Sequence, residues 1–182
     1  MVTSKASAPT TTAAEPVKAV VTSSTKAAQT PASTPVSNTA SSDIQSYLDL
    51  HNNERANHGA VALVWNNTLA DAAQNWANQC TGTHSGGSLG PYGENLSTGT
   101  GNFTISAAVQ LWLNEAPQYD PSNPQPSHWT QVVWKGTTNL GCAVAECDNL
   151  FDFSKFGRTL YYVCEYYPAG NVLGEFAQNV QA

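Results

Sequence analysis

Two histidines and two glutamates, His84, Glu94, Glu115 and His128, are the residues of this chain best suited to chemistry. Imidazole nitrogens and carboxylate oxygens both bind borderline divalent cations, so the four together suit a metal site. No H-E-x-x-H spacing places two of them on one helix face, so only the fold decides whether they meet. Glu115 is the most informative. Its helical phase continues a stripe made by Ile105, Ala108, Val109 and Trp112, where a bare charge carries a large desolvation cost. It therefore needs a cationic or metal partner, or else it swings into solvent past Pro117. The same side chains have a catalytic alternative, in which a held metal activates water or His128 acts as a base. No nucleophile stands out for it: Ser127 is merely adjacent to His128, and the four cysteines are expected to be bridged.

The remaining polar and aromatic residues read more simply. His51 lies on an apolar helix stripe and is expected to be a hydrogen-bonded core histidine, and His58 to belong to a helix end. Trp129, Trp134, Tyr161, Tyr162, Tyr166 and Tyr167 could form a sugar platform, but alternating aromatics on strands are more often core.

Several elements must position these groups. Ser41-Ser42-Asp43 can cap a helix in which Ile44, Tyr47, Leu48 and His51 recur at helical spacing, ending near Asn57-His58-Gly59. A second helix follows Asn67-Thr68, with Leu69, Ala72, Ala73, Trp76, Ala77 and Cys80 on one face. Thr81 to Gly101 is rich in Gly and lacks a sustained period, so it reads as a long structured loop carrying His84 and Glu94. Thr104 caps a third helix, closed by Pro117, and four prolines stiffen the connection up to Ser127. His128–Lys135, 141–147 and 159–167 read as strands, with a loop at 148–158. Helices preceding antiparallel strands imply an α+β layered domain.

The chain has 182 residues, with 41% hydrophobic, 11% charged and five Trp. That suffices for one core. Of the first 42 residues, 30 are Ala, Thr, Ser or Pro and none is aromatic, so residues 1–42 read as a disordered stalk and 43–182 as the folded domain. From residue 43 onward there are four Lys or Arg and twelve Asp or Glu, an acidic surface that repels phosphate backbones, so nucleic acid is not expected as a partner. No apolar run is long enough for a transmembrane segment. Met1-Val2-Thr3-Ser4 does not open a secretory signal, yet the stalk and the N-x-[ST] sites at Asn66, Asn95 and Asn102 suit a secreted protein. Asn66 and Asn102 are the glycosylation candidates.

Cys80, Cys142, Cys147 and Cys164 contain no C-x-x-C pair, which favours disulfides over a metal ribbon. Folding the 141–167 hairpin about residue 153 sets Cys142 opposite Cys164, within bridging reach. Cys147 differs from Cys142 by an odd number, so it points to the other face and is expected to pair with Cys80.

Three strings then stand out in order: Gly93-Glu94-Asn95-Leu96, His128-Trp129-Thr130-Gln131-Val132-Val133-Trp134, and Tyr161-Tyr162-Val163-Cys164-Glu165-Tyr166-Tyr167-Pro168-Ala169-Gly170-Asn171-Val172. With them the chain resembles the CAP superfamily of cysteine-rich secretory proteins, antigen 5 and pathogenesis-related 1 proteins from about Asp43 to Phe176. The resemblance implies a three-layer α-β-α sandwich with a central antiparallel sheet. It also implies a cavity whose two His and two Glu map onto His84, Glu94, Glu115 and His128, often with a divalent ion, commonly zinc. The family's cysteine pairing agrees with the one derived above. Ser127 and Glu165 depart from the residues usual at their positions. The Ala116–Ser127 loop, aromatic-rich in sterol-binding fungal members, here has Tyr119 as its one aromatic. The expected function is that of a secreted, fungal-type pathogenesis-related-1-like protein that carries a sterol or fatty acid without turnover. A metal-dependent hydrolase or protease, and an extracellular signalling or adhesion module with a protein partner, are the alternatives.

Overall fold

The computed structural model describes residues 39–182. Most of the stalk reading falls outside them, and Ser41 and Ser42 open the first helix. In chain order the described elements are α1 (Ser41–Asn57), β1 (Val64–Trp65), α2 (Asn67–Ala77), β2 (Gly93–Thr100), α3 (Ile105–Leu113), a 3-10 turn (Ala116–Gln118), α4 (His128–Val132), β3 (Asn139–Cys147), α5 (Phe153–Phe156), β4 (Thr159–Tyr167) and α6 (Phe176–Asn179). The strands form one sheet in the order β1-β3-β4-β2.

Antiparallel pairing joins β2 to β4 and β4 to β3, while the two residues of β1 add to β3 in parallel, so the expected antiparallel sheet is mixed at one edge. Side-chain alternation divides the sheet between two cores. On one face Cys142, Cys164, Tyr162 and Tyr166 pack with Tyr47 of α1, Val109 and Trp112 of α3, and Trp129 and Val132 of α4. On the other, Ala143, Cys147, Tyr161 and Val163 pack against Ala73 and Ala77 of α2. This is the three-layer α-β-α sandwich. A Cβ at Gly141 would lie 2.2 Å from the backbone nitrogen of Ala70, so glycine is what lets α2 approach the sheet this closely. Among the described residues no helix is long and apolar enough to cross a membrane.

The cysteines follow the parity argument: Cys142 lies directly opposite Cys164 and is bridged to it, and Cys147, in the other core, is bridged to Cys80. Cys80 reaches its partner from a positive-φ turn beyond α2 rather than from the helix face. Converting Cys142 and Cys164 together to Ala frees a loop of 22 residues in the unfolded chain, and urea unfolding should report a loss of about 3 kcal/mol. A loss below about 1 kcal/mol would contradict the chain-entropy account.

Two expectations are corrected. The segment from His128 is not a strand but the five-residue helix α4, opened by a capping box in which Ser127 Oγ accepts from Thr130 N and Thr130 Oγ1 from Ser127 N. Trp129, Thr130, Gln131 and Val132 are all buried, so the segment has no exposed face and carries no period that distinguishes helix from strand. Residues 93–100 are not loop but β2, an edge strand whose Gly and polar composition hides it and whose eight residues all pair with β4. Smaller differences are the helical turn α5 within the 148–158 connection and the C-terminal helix α6.

Candidate functional site

Each of the four residues is delivered by a different piece of the fold. His84 lies in the glycine-rich stretch after α2, and Glu94 is the second residue of β2. Glu115 follows the end of α3 at the start of the 3-10 turn, and His128 is the first residue of α4. All four line one open hollow of about 430 Å³, together with Asn95, Ser127 and Asn171. The structure thus brings together residues that no local spacing connects.

Within the hollow they form two like pairs. The Nδ1–H of His84 donates to Glu94 Oε1 at 2.6 Å, and the Nδ1–H of His128 donates to Glu115 Oε1 at 2.6 Å. Each carboxylate is also held by the backbone: Ser85 N donates to Glu94 Oε1 at 2.9 Å, and Trp129 N to Glu115 Oε2 at 3.1 Å. Glu115 is thus paired with an imidazole and a backbone N–H rather than turned out into solvent. Because a carboxylate can only accept, each ring carries a proton on Nδ1, and among the described residues neither Nε2 has a protein partner. A carboxylate behind Nδ1 is the arrangement that fixes a metal-binding imidazole and raises its basicity. Imidazole nitrogens of this kind are donors that suit a borderline divalent cation. Among the described residues no group of three or more His, Cys, Asp or Glu is gathered closely enough to enclose an ion unaided.

The ring of His128 stacks on Trp112 at 6.2 Å, and its backbone is tied into the core. Asn95 Nδ2 donates both to His128 O at 3.0 Å and to Tyr166 Oη at 3.1 Å, and Tyr166 in turn donates to His51 Nε2. His51 Nδ1–H donates to Tyr47 O, so His51 is a core residue, as its stripe implied, and burial lowers its pKa to about 4. His58 is at the end of α1, where its Nδ1–H donates to Gln181 O.

Glu165 is the residue that sequence reasoning passed over, recording it as a departure without a role. It lies opposite Glu94 in the β2–β4 register and is 1% exposed. Burial first, then the charge of Glu94 and the hydrogen bond between the two carboxyls, push its pKa up to about 9. The available signal was a lone carboxylate in a strand that is otherwise Tyr, Val, Cys and Leu after its first residue.

Tyr119 packs on Trp129 at 5.4 Å and lines a smaller cleft of about 170 Å³ with Glu115, Gln118, Asp120 and Asn123. Ser127 Oγ is engaged as the cap of α4, and among the described residues no cysteine is free. Of the aromatic set, Tyr167 alone is exposed, and the rest are core. Asn102 is exposed and Asn66 half-buried, whereas Asn95 is buried.

Residues 48–166 match the model of the cysteine-rich secretory protein family, CAP. The chain is 45% identical over 145 residues to fruiting body protein SC7 of Schizophyllum commune, covering 72% of this chain and 67% of that protein. It is 41% identical over 141 residues to pathogenesis-related leaf protein 4 of Solanum lycopersicum, covering 72% and 80%. The chain spans 40% of the length of another relative, protein PRY2 of Saccharomyces cerevisiae, to which it is 44% identical. The structure of BmVAL-1 superposes with a TM-score of 0.64 over 76% of this chain and 82% of that one, at 24% identity, and shows the same fold. The chain belongs to the cysteine-rich secretory protein (CAP) family, among its pathogenesis-related-1-like members.

Proposed function

We propose that this is a secreted binding protein that holds a divalent cation, zinc, in the His–Glu hollow and carries a hydrophobic small ligand, a sterol or fatty acid, without turning it over. One observation carries the cation half: two imidazoles facing one hollow, each with Nδ1 taken by a carboxylate and Nε2 left open. His84 and His128 would hold the ion through Nε2, with Glu94 and Glu115 orienting the rings. When bound it supplies a fixed positive charge and a Lewis acid at that point. Family membership supports the lipid half. A serine-nucleophile hydrolysis is disfavoured because the Ser127 hydroxyl, next in sequence to His128, is committed to capping α4. Secretion is supported by the family's secretory character and by two disulfides, which persist in oxidising compartments.

Calorimetric titration with zinc at pH 7.5 should show saturable binding that disappears in the His84→Ala, His128→Ala double variant. Absence of heat, or heat unchanged by the double substitution, removes the cation reading. For the lipid half, labelled ergosterol, cholesterol and palmitate should each be tested for saturable binding to the full chain. If none binds, the extracellular adhesion or signalling reading takes its place, with a protein partner as the ligand.

A further inference from the structure

The three N-x-[ST] sequences are equivalent as strings and sharply different in the fold. Asn95 is 1% exposed and both bonds of its amide nitrogen point inward, to His128 O and Tyr166 Oη, so no sugar can occupy that nitrogen in the folded protein. Asn102 is exposed in the turn before α3. Asn66 is the informative case. It is the N-cap of α2, and its Oδ1 accepts from Thr68 N at 2.9 Å and from Leu69 N at 3.4 Å, while among the described residues its Nδ2 has no protein partner and is not sealed from solvent. Capping uses the oxygen and glycosylation uses the nitrogen, so this side chain can do both at once.

Beside Asn66 lies a cleft of about 340 Å³ with Tyr92, Tyr167, Pro91 and Leu69 on its walls. Tyr92 and Tyr167 meet edge to face at 6.2 Å, and Tyr167 remains 45% exposed although every other aromatic of β4 is buried. An amphipathic aromatic wall of this kind suits a ligand with one apolar face and a hydroxylated edge, as a pyranose has.

We propose that Asn66 carries an N-linked glycan whose first sugar lies in the Tyr92–Tyr167 cleft. The modification joins Asn66 Nδ2 to C1 of a lipid-pyrophosphate-linked oligosaccharide: the Nδ2–C1 bond forms, the C1–O bond to phosphate breaks, Nδ2 loses a proton and the lipid pyrophosphate departs. The inference rests on passage through the secretory route, so its test supplies that route.

The full chain is expressed behind a secretory leader in yeast, and occupancy is read by mass spectrometry of each glycopeptide. Asn66 and Asn102 should be occupied and Asn95 empty. Thr68→Ala should remove the Asn66 glycan alone and leave the helix cap in place, because the cap uses the backbone nitrogen of residue 68. Nitration of Tyr92 and Tyr167 should then rise several-fold in Thr68→Ala relative to the protein trimmed to one sugar per site. An empty Asn66 in a protein occupied at Asn102 overturns the proposal, and leaves the proposed function untouched. Occupancy of Asn66 with equal tyrosine reactivity in both proteins overturns the placement of the sugar in the cleft.

Discussion

Replacing Arg55 by Met should remove more than about 4 kcal/mol of stability and prevent the domain from folding at 37 °C. Arg55 comes from the last turn of α1 and is fully buried. Its guanidinium reaches four carbonyls: Nε donates to Val61 O at 2.8 Å, Nη1 to Val132 O at 2.8 Å and to Trp134 O at 2.9 Å, and Nη2 to Thr137 O at 2.8 Å. Burial lowers its pKa to about 10, which still leaves it charged at neutral pH. Methionine fills a similar volume and supplies no donor, so three buried carbonyls, those of Val132, Trp134 and Thr137, lose their partner at about 1–3 kcal/mol each. Two of those carbonyls belong to the end of α4 and the residues just after it, so the same change loosens the helix that presents His128. Arg55→Lys should be less harmful, since one ammonium supplies three donors from a single point. Near-ultraviolet circular dichroism during heating distinguishes the outcomes. A melting temperature for Arg55→Met within a few degrees of the parent would show that these carbonyls find water or other donors.

Glu165→Gln should stabilise the domain, and by more as the pH rises. The folded pKa of Glu165, about 9, is above its unfolded value of 4.5, so its favourable contribution is complete below pH 4.5 and is lost as the pH rises towards 9. At pH 7 the unfolded chain holds an ionised carboxylate in water, whereas the folded chain must keep the group protonated beside Glu94. That difference costs about 3 kcal/mol at pH 7 and about 5 kcal/mol at pH 8. Glutamine has the same shape, cannot ionise, and keeps an N–H to donate to Glu94. The two proteins should therefore unfold alike in denaturant at pH 4.5 and diverge above it, the variant being the more stable. Parallel stability profiles from pH 4.5 to 8 would mean that Glu165 is ionised in the fold and compensated by a group other than Glu94.

Much of this protein was legible from its residues because the relevant signals are local or follow from strand parity. The stripes of α1, α2 and α3 carry a helical period, since each of these helices buries one side. The odd spacing of Cys142 and Cys147 sends them to opposite faces of the sheet, which settles both bridges. The three motif strings suffice for the family.

Tertiary structure decided what local pattern cannot carry. β2 is a strand because β4 supplies its hydrogen bonds, and α4 is a helix because a capping box starts it while its neighbours bury every side of it. Glu165 became a protonated acid only when register set it opposite Glu94 in a dry interior. His84 and His128 were chemically suggestive from the start, but their division into two His–Glu pairs, each with one nitrogen open, depended on four elements converging. Covalent order restricts each residue to a few conformations of its own neighbourhood. Desolvation and hydrogen bonding act on whatever the fold then places alongside, and those neighbours come from distant parts of the chain.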